Sequence, residues 1–301
     1  MADSQYTQAE LDRAMEYLDA KLHETLAPKM LGRQIVAQDP DCVGDGIFRA
    51  RVQKLIEMGD AIVSYNFPRE GEARDRVEVR SREVDLPVLS KPYIIEKQEM
   101  EAFLRQGTNL EAASARSAGK AITRLENQMI LQGWKPDGTN YEAKGLYQAA
   151  GQSVTDSLDF GTYGNADKAV NAAIAKLETN SVESSAYHLI CNPTQMAELR
   201  ISRNSTSGNK EIPEVIESLN NGKESGPGSI FKTDLLTAGT AMVVPYDPTM
   251  EYFRLLNPLE LTTELGQDSK APKSSPVYGN VYEVLYVDVI DENAICKLTG
   301  V

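Results

Sequence analysis

Histidine is nearly missing from this chain of 301 residues, which holds only His23 and His188. Acid-base and nucleophilic catalysis near neutral pH usually recruit an imidazole, so the scarcity argues against an enzyme. Cysteine is almost as rare. Cys42, Cys191 and Cys296 stand far apart and in odd number, which gives neither a disulfide framework nor a CxxC metal site, and a reducing compartment is expected. His188 and Cys191 lie three residues apart on a strand-like run, a spacing that turns the two side chains to opposite faces.

No apolar run reaches the ~18 residues that a spanning helix needs. The start, MADSQYTQAELDRAMEYLD, is polar and acidic where a secretory leader would be basic and then apolar, so no membrane is expected. Neither GxxxxGK[ST] nor GxGxxG occurs, and SGPGS stands between a helix pattern and a strand pattern, the wrong order for cradling phosphate. Asp39, Asp41 and Asp45 in DPDCVGDG lack the closing glutamate of a calcium loop. No cofactor and no metal are expected.

Positive charge is in deficit, with 31 Lys and Arg against 44 Asp and Glu and a net charge of -13. Phosphate backbones are held by clustered cations, so sequence-specific nucleic-acid binding is not expected. The chain is 41% hydrophobic with both signs of charge mixed throughout, which is the composition of a globular protein with a sizeable core.

Leu11, Met15, Leu18, Leu22 and Leu26 recur at helical spacing between Thr7 and Leu31, Thr7 and Glu10 form a capping box, and Pro28 ends the pattern. Gly32 and Arg33 then open an extended stretch. From Gly46 to Asp85, β-like runs at Ala61–Phe67 and Val77–Val84 flank the charged turn PREGEARDR, which reads as a long projecting hairpin. Its Arg69, Glu70, Glu72, Arg74, Asp75, Arg76, Glu78, Arg80 and Arg82 interleave both signs. Two readings stand side by side: a solvated surface hairpin, or an arm that meets a neighbouring subunit through ion pairs and free strand edges.

A short helix, Glu96–Gln106, buries Met100, Phe103 and Leu104 and is closed by Gly107. A long one follows, capped by Thr108 and Glu111, lined by Ala118, Ile122, Leu125 and Met129, and ended by Gly133; about 25 residues span roughly 37 Å. After the turn-rich Trp134–Tyr141, strands and helices alternate: a helix over Ala166–Glu178, the buried strand of AYHLICNP, a helix in TQMAELRISR, the tip Asn221–Ser229, and strands at IFKT and TAMVVPY. The last long strand, in VYGNVYEVLYVDVI, places Val281, Glu283, Leu285, Val287 and Val289 on one face and Tyr282, Val284, Tyr286 and Asp288 on the other.

This order of elements resembles the Hong Kong 97 capsid fold. LDRAMEYLDAKLHETLAPKMLGRQIV, LPVLSKPYIIEKQEMEAFLRQG, RLENQMILQG with AKGLYQAAG, AYHLICNPTQMAEL and GTAMVVPYDPTMEYFRLLNPLEL are similar to encapsulins and related phage capsid proteins over nearly the whole chain. The resemblance implies an α+β fold in four parts. These are an N-terminal helix and arm (1–45), an extended hairpin (46–85), a peripheral domain with the spine helix (86–139 and 247–301), and an axial α/β domain (140–246). The spine helix would be Asn109–Gln132, and Asn221, Lys223 and Glu224 would sit on a loop facing the capsomer axis.

By the same resemblance the chain has no catalytic residues and is a structural subunit. It would assemble as pentamers and hexamers into an icosahedral virion head around double-stranded DNA, in the host cytoplasm, with portal, scaffold or decoration proteins as candidate partners. The alternative is an encapsulin nanocompartment that captures an enzyme cargo by a tail peptide beside the N-terminal helix. Lys54, the arm's only lysine, is the candidate for a crosslink to a neighbour's asparagine. The extra length in the arm and in 202–229 favours the virus. A third hypothesis is a small α/β enzyme built on Cys191 or His188.

Overall fold

The computed structural model describes residues 7–26, 30–42, 49–56, 78–106, 113–155, 158–266 and 276–301. Helix α1, Gln8–Leu26, begins as its sequence specifies. The Thr7 amide donates to Glu10 Oε2 at 2.7 Å and the Glu10 amide donates to Thr7 Oγ1 at 3.3 Å, so two helix-end amides find partners. Leu11, Leu18 and Leu22 are buried on one stripe.

Gly32 and Arg33 do not open an extended stretch; they lie in a short helix, α2, Leu31–Ile35. The cause is a close approach to helix α4, Ala113–Leu131. The Gly32 amide donates to Asn127 Oδ1 at 2.9 Å, and a Cβ on Gly32 would stand 2.2 Å from Ile130 Cδ1. Any larger residue at position 32 would push the Ile130 side chain aside.

Strands β1 (Arg49–Ile56) and β2 (Glu78–Asp85) pair antiparallel, with Arg49 opposite Asp85 and Ile56 opposite Glu78. The sequence pattern does not announce β1, whose RARVQKLI alternates weakly and buries Val52 at its root. The expected strand at Ala61–Phe67 and the turn Pro68–Arg76 lie outside the described residues, as do Gly107 and the Thr108–Glu111 box.

Strand β3, Val88–Ile95, leads into α3, Lys97–Gln106, and α4. After the small hairpin of β4 (Gly133–Trp134) and β5 (Ala143–Lys144) come α5 (Leu146–Ala149), β6 (Gln152–Val154) and α6 (Asn165–Thr179). Next are β7 (Tyr187–Cys191), α7 (Pro193–Ile201), α8 (Ile212–Leu219), β8 (Ser229–Lys232) and β9 (Thr240–Pro245). Two long strands follow, β10 (Phe253–Gly266) and β11 (Val277–Val289), and β12 (Cys296–Thr299) closes the chain.

β10, β11 and β3 form one antiparallel sheet in that order, and β6-β12-β9-β7-β8 form a mixed five-stranded sheet. The end of the chain therefore returns from the 247–301 stretch to become an inner strand of the sheet built by the 140–246 block. That sheet divides two cores by strict alternation. Ile190, Met242 and Val244 face the larger core with α1 and α4, while Tyr187, Leu189, Cys191, Val243 and Leu298 face the core under α6 and α8.

His188 is buried in β7 with its ring edge-on to Phe231 and Tyr246, at centroid distances of 5.2 and 5.7 Å. Neither ring nitrogen has a partner, and burial pushes the imidazole down to about 4, so it stays neutral.

Two outcomes are expected. Gly32→Ala should cost about 1–3 kcal/mol by overpacking, and less in an Ile130→Val background that lacks the struck methyl; equal costs in the two backgrounds, measured by urea unfolding, would refute the contact. For His188 the unfolded chain binds a proton below about pH 6.5 that the folded chain refuses until about 4, so stability falls as pH drops through that window. His188→Phe should flatten the slope, recovering up to about 3 kcal/mol near pH 4; parallel curves for the two proteins would show otherwise.

Candidate assembly surfaces

The arm and the axial loop are the surfaces expected to meet other copies, and each is held to the body by buried polar groups. Behind them, a buried polar group centred on Arg33 fixes the N-terminal segment to the body. From α2 its Nε donates to Glu126 Oε1 of α4 at 2.8 Å, and its terminal nitrogen donates to Glu283 Oε1 of β11. Asn257 Nδ2 of β10 adds a third donor, 2.9 Å from the same Glu283 oxygen. Both carboxylate side chains are 0% exposed, and the Oε2 atom of each has no partner.

One cation thus serves two buried anions, which is electrostatically incomplete. Burial first, and then the neighbouring Glu126, push Glu283 up to about 8 against the pull of Arg33. Burial raises Glu126 as well, again opposed by Arg33. Both shifts favour a proton shared by the pair, and a proton on Glu283 removes charge from the oxygen that has no donor.

Asn257 reaches this site because β10 is broken beside it. Pro258 has no amide to give the ladder, and the β10–β11 register shifts between Leu256 and Leu259 and again before Thr262.

A second polar group anchors the arm. Arg82 of β2 donates to Asp288 Oδ1 at 2.6 Å, and Arg254 donates to Asp288 Oδ2 at 3.2 Å and to Asp39 Oδ2 at 3.0 Å. Asp288 is 1% exposed, whereas Arg82 remains 56% exposed. Val52 and Leu86 close the root against Leu256 and Val284. The surface pair Arg49–Asp85, at 2.7 Å, adds little. Of the arm residues expected to touch neighbours, Arg69, Glu70, Glu72, Arg74, Asp75 and Arg76 lie outside the described residues. Glu78 and Arg80 stand on β2 opposite Ile56 and Lys54.

At the axial loop, Asn221 takes a left-handed conformation with φ of 54°, and its Nδ2 donates to the Ser184 carbonyl at 2.9 Å. Lys223 and Glu224 are exposed beyond it. The loop is stapled at its base by buried Asn220, whose Oδ1 accepts from the Gly228 amide at 2.8 Å and whose Nδ2 donates to the Ile216 carbonyl at 2.8 Å. Gly228 is required there, since a Cβ would come within 2.9 Å of the Leu219 and Tyr187 carbonyls.

Chemistry has little purchase on the enzyme candidates. Cys191 and His188 face different cores, and burial holds the Cys191 thiol up at about 12, far from the thiolate a nucleophile needs. Among the described residues no cluster of three His, Cys, Asp or Glu is arranged to hold a metal ion, and no helix is long and apolar enough to cross a membrane.

Arg33, Glu126, Asn257, Glu283, Arg254 and Asn220 were not singled out by the sequence. Two carried a signal: Glu126 interrupts the apolar line of its helix between Ile122 and Met129, and Glu283 is the one charge on an otherwise apolar strand face.

The family described as Linocin_M18, encapsulating protein for peroxidase, matches residues 9–267. No curated protein matches. Among solved structures, a virus-like particle from Pyrococcus furiosus aligns with a TM-score of 0.60 at 17% identity, over 95% of this chain and 99% of that one. The capsid of Myoviridae phage XM1 aligns with a TM-score of 0.66 at 13% identity, over 90% and 92%. The capsid of an empty GTA particle gives 0.56 at 14% identity, over 89% and 94%. The fold is that of Hong Kong 97-like capsid proteins, in its encapsulin-like branch.

Arg33→Met should destabilise the subunit by roughly 3–5 kcal/mol, because it strands two buried carboxylates. Glu283→Gln resembles the protonated acid. Since the folded acid is raised, its stabilising proton is present in full below the unfolded value near 4.5 and is lost as pH rises toward 8. The glutamine variant should therefore gain on the wild type between pH 5 and 8 in denaturant titrations; a constant difference would contradict the shared proton.

Proposed function

The chain belongs to the Linocin_M18 family of encapsulating proteins, and from that premise we propose that this shell-forming protein is the major capsid protein of a tailed virus. Its copies close as pentamers and hexamers into an icosahedral head around double-stranded DNA. One observation carries this reading. Among the described residues the β1–β2 ribbon pairs only with itself, while its root is locked to the body by Asp288. An isolated two-stranded ribbon is marginal in water, so a ribbon this firmly aimed is built for a neighbour to cover. The acidic surface fits a container that encloses its genome without gripping it, since phosphate contacts require cations. Portal, scaffold and decoration proteins are the further partners of such a head.

The second reading is a nanocompartment around an enzyme cargo, supported by the family's description as encapsulating a peroxidase. Contents and size separate the two. Negative-stain microscopy and size-exclusion chromatography of the protein expressed alone should give large, irregular or open assemblies, or capsomers that close only with a scaffold. Small closed shells of uniform diameter would favour the nanocompartment, and a stable monomer would defeat both.

Deleting Pro68–Arg76 should leave a folded subunit, with an unchanged far-ultraviolet circular dichroism spectrum, that no longer closes into shells. Normal particles from the deletion would end the arm reading.

A further inference from the structure

Between α7 and α8 the chain makes a tight finger. Arg203 bridges to Lys210, the Asn204 amide donates to the Asn209 carbonyl at 2.9 Å, and Asn204 Oδ1 accepts from the amides of Thr206 and Ser207 at 2.9 and 3.1 Å. From Arg200 to Lys210 there are three cations and no acid, in a chain of net charge -13. Ile201 at its base is 76% exposed, the most exposed of the large hydrophobic side chains among the described residues. Arg200, Arg203 and Lys210 form no ion pair among the described residues.

Beside the finger runs a groove of about 680 Å³ between α6 and α8. Asp167, Glu178, Glu214 and Glu217 form its walls, Ile174 and Ala175 lie within it, and no lysine or arginine lines it. Among the described residues none of these acids stands in an ion pair, and three of them accept from neutral donors. Ser218 and Asn171 serve Asp167, the Tyr163 hydroxyl serves Glu214, and the Tyr187 hydroxyl reaches Glu178 at 3.5 Å. The finger stands at one end of the groove, where the Asn204 side chain meets Tyr163, whose hydroxyl donates to Glu214.

We propose that the finger of one copy seats in the α6–α8 groove of the next copy around each ring of the shell, its cations on the acidic walls and Ile201 toward Ile174 and Ala175. The occupant follows from charge. Copies of an acidic chain repel one another, so a contact that closes must set local cations against local anions. Finger and groove are distinct patches, so one copy can take the next head-to-tail, and within the closed shell that contact repeats around a ring. The inference rests on the shell reading and names one of its interfaces.

Arg203→Glu/Lys210→Glu and Glu178→Lys/Glu217→Lys alter exposed side chains only, and circular dichroism verifies that each variant is folded. Each pair should lower the yield of assembled particles at least tenfold by size-exclusion chromatography, and the fourfold variant, with the charges exchanged, should recover most of it. Wild-type yield from either pair, or a fourfold variant no better than the pairs, overturns the contact. A wild type that stays a stable monomer is visible separately, and defeats the shell reading together with the contact.

Discussion

A single guanidinium joins three parts of this chain that sequence keeps far apart. Arg33 stands 93 residues from Glu126 and 250 from Glu283, and it donates to both inside the core. A buried ion pair gains little over a well-packed apolar core, but it tolerates only one geometry, because any slip strands a charge. Several local oddities serve that geometry. Gly32 lets α2 press on Ile130, Asn127 takes the Gly32 amide, and the break at Pro258 turns Asn257 inward to the same carboxylate. The short helix α2 carries Arg33 to this spot.

β11 is the element on which the rest converges. Its odd-numbered face carries Glu283 toward α2 and α4, and its even-numbered face carries Asp288 toward Arg82 and Arg254. Five residues apart on a strand, the two acids point to opposite sides. One side fixes the N-terminal segment on the body and the other fixes the arm. The direction in which the arm leaves is thereby tied, through a single strand, to the packing of the core. For a subunit whose product is a closed surface, angles matter more than any one contact energy.

What the sequence made legible was what depends on neighbours along the chain. The Thr7–Glu10 box, the spacing from Leu11 to Leu22, the buried run of β7 and the long β11 are each written locally, and each stands as read. What was hidden depends on partners far away. β1 is a strand because β2 pairs with it, although RARVQKLI has little strand character of its own. Gly32 and Arg33 looked like the start of an extended stretch, since nothing nearby says that Asn127 and Glu126 will meet them. Glu126 and Glu283 were visible as charges on apolar faces, but the cation that answers both was not.

The buried polar and reactive groups match a structural role. The buried polar groups of this fold are committed to holding its parts together. Arg33 is shared by two acids, Asp288 by two arginines, and Asn220 by the axial loop. The remaining buried reactive groups are silenced by their surroundings, with Cys191 kept a thiol and His188 kept neutral between two aromatic rings. An active site needs polar groups that are preorganised yet left unsatisfied toward a cavity. Among the described residues, the acids of the α6–α8 groove and the cations of the finger beside it are without charged partners and stand toward solvent, where another charged body can reach them.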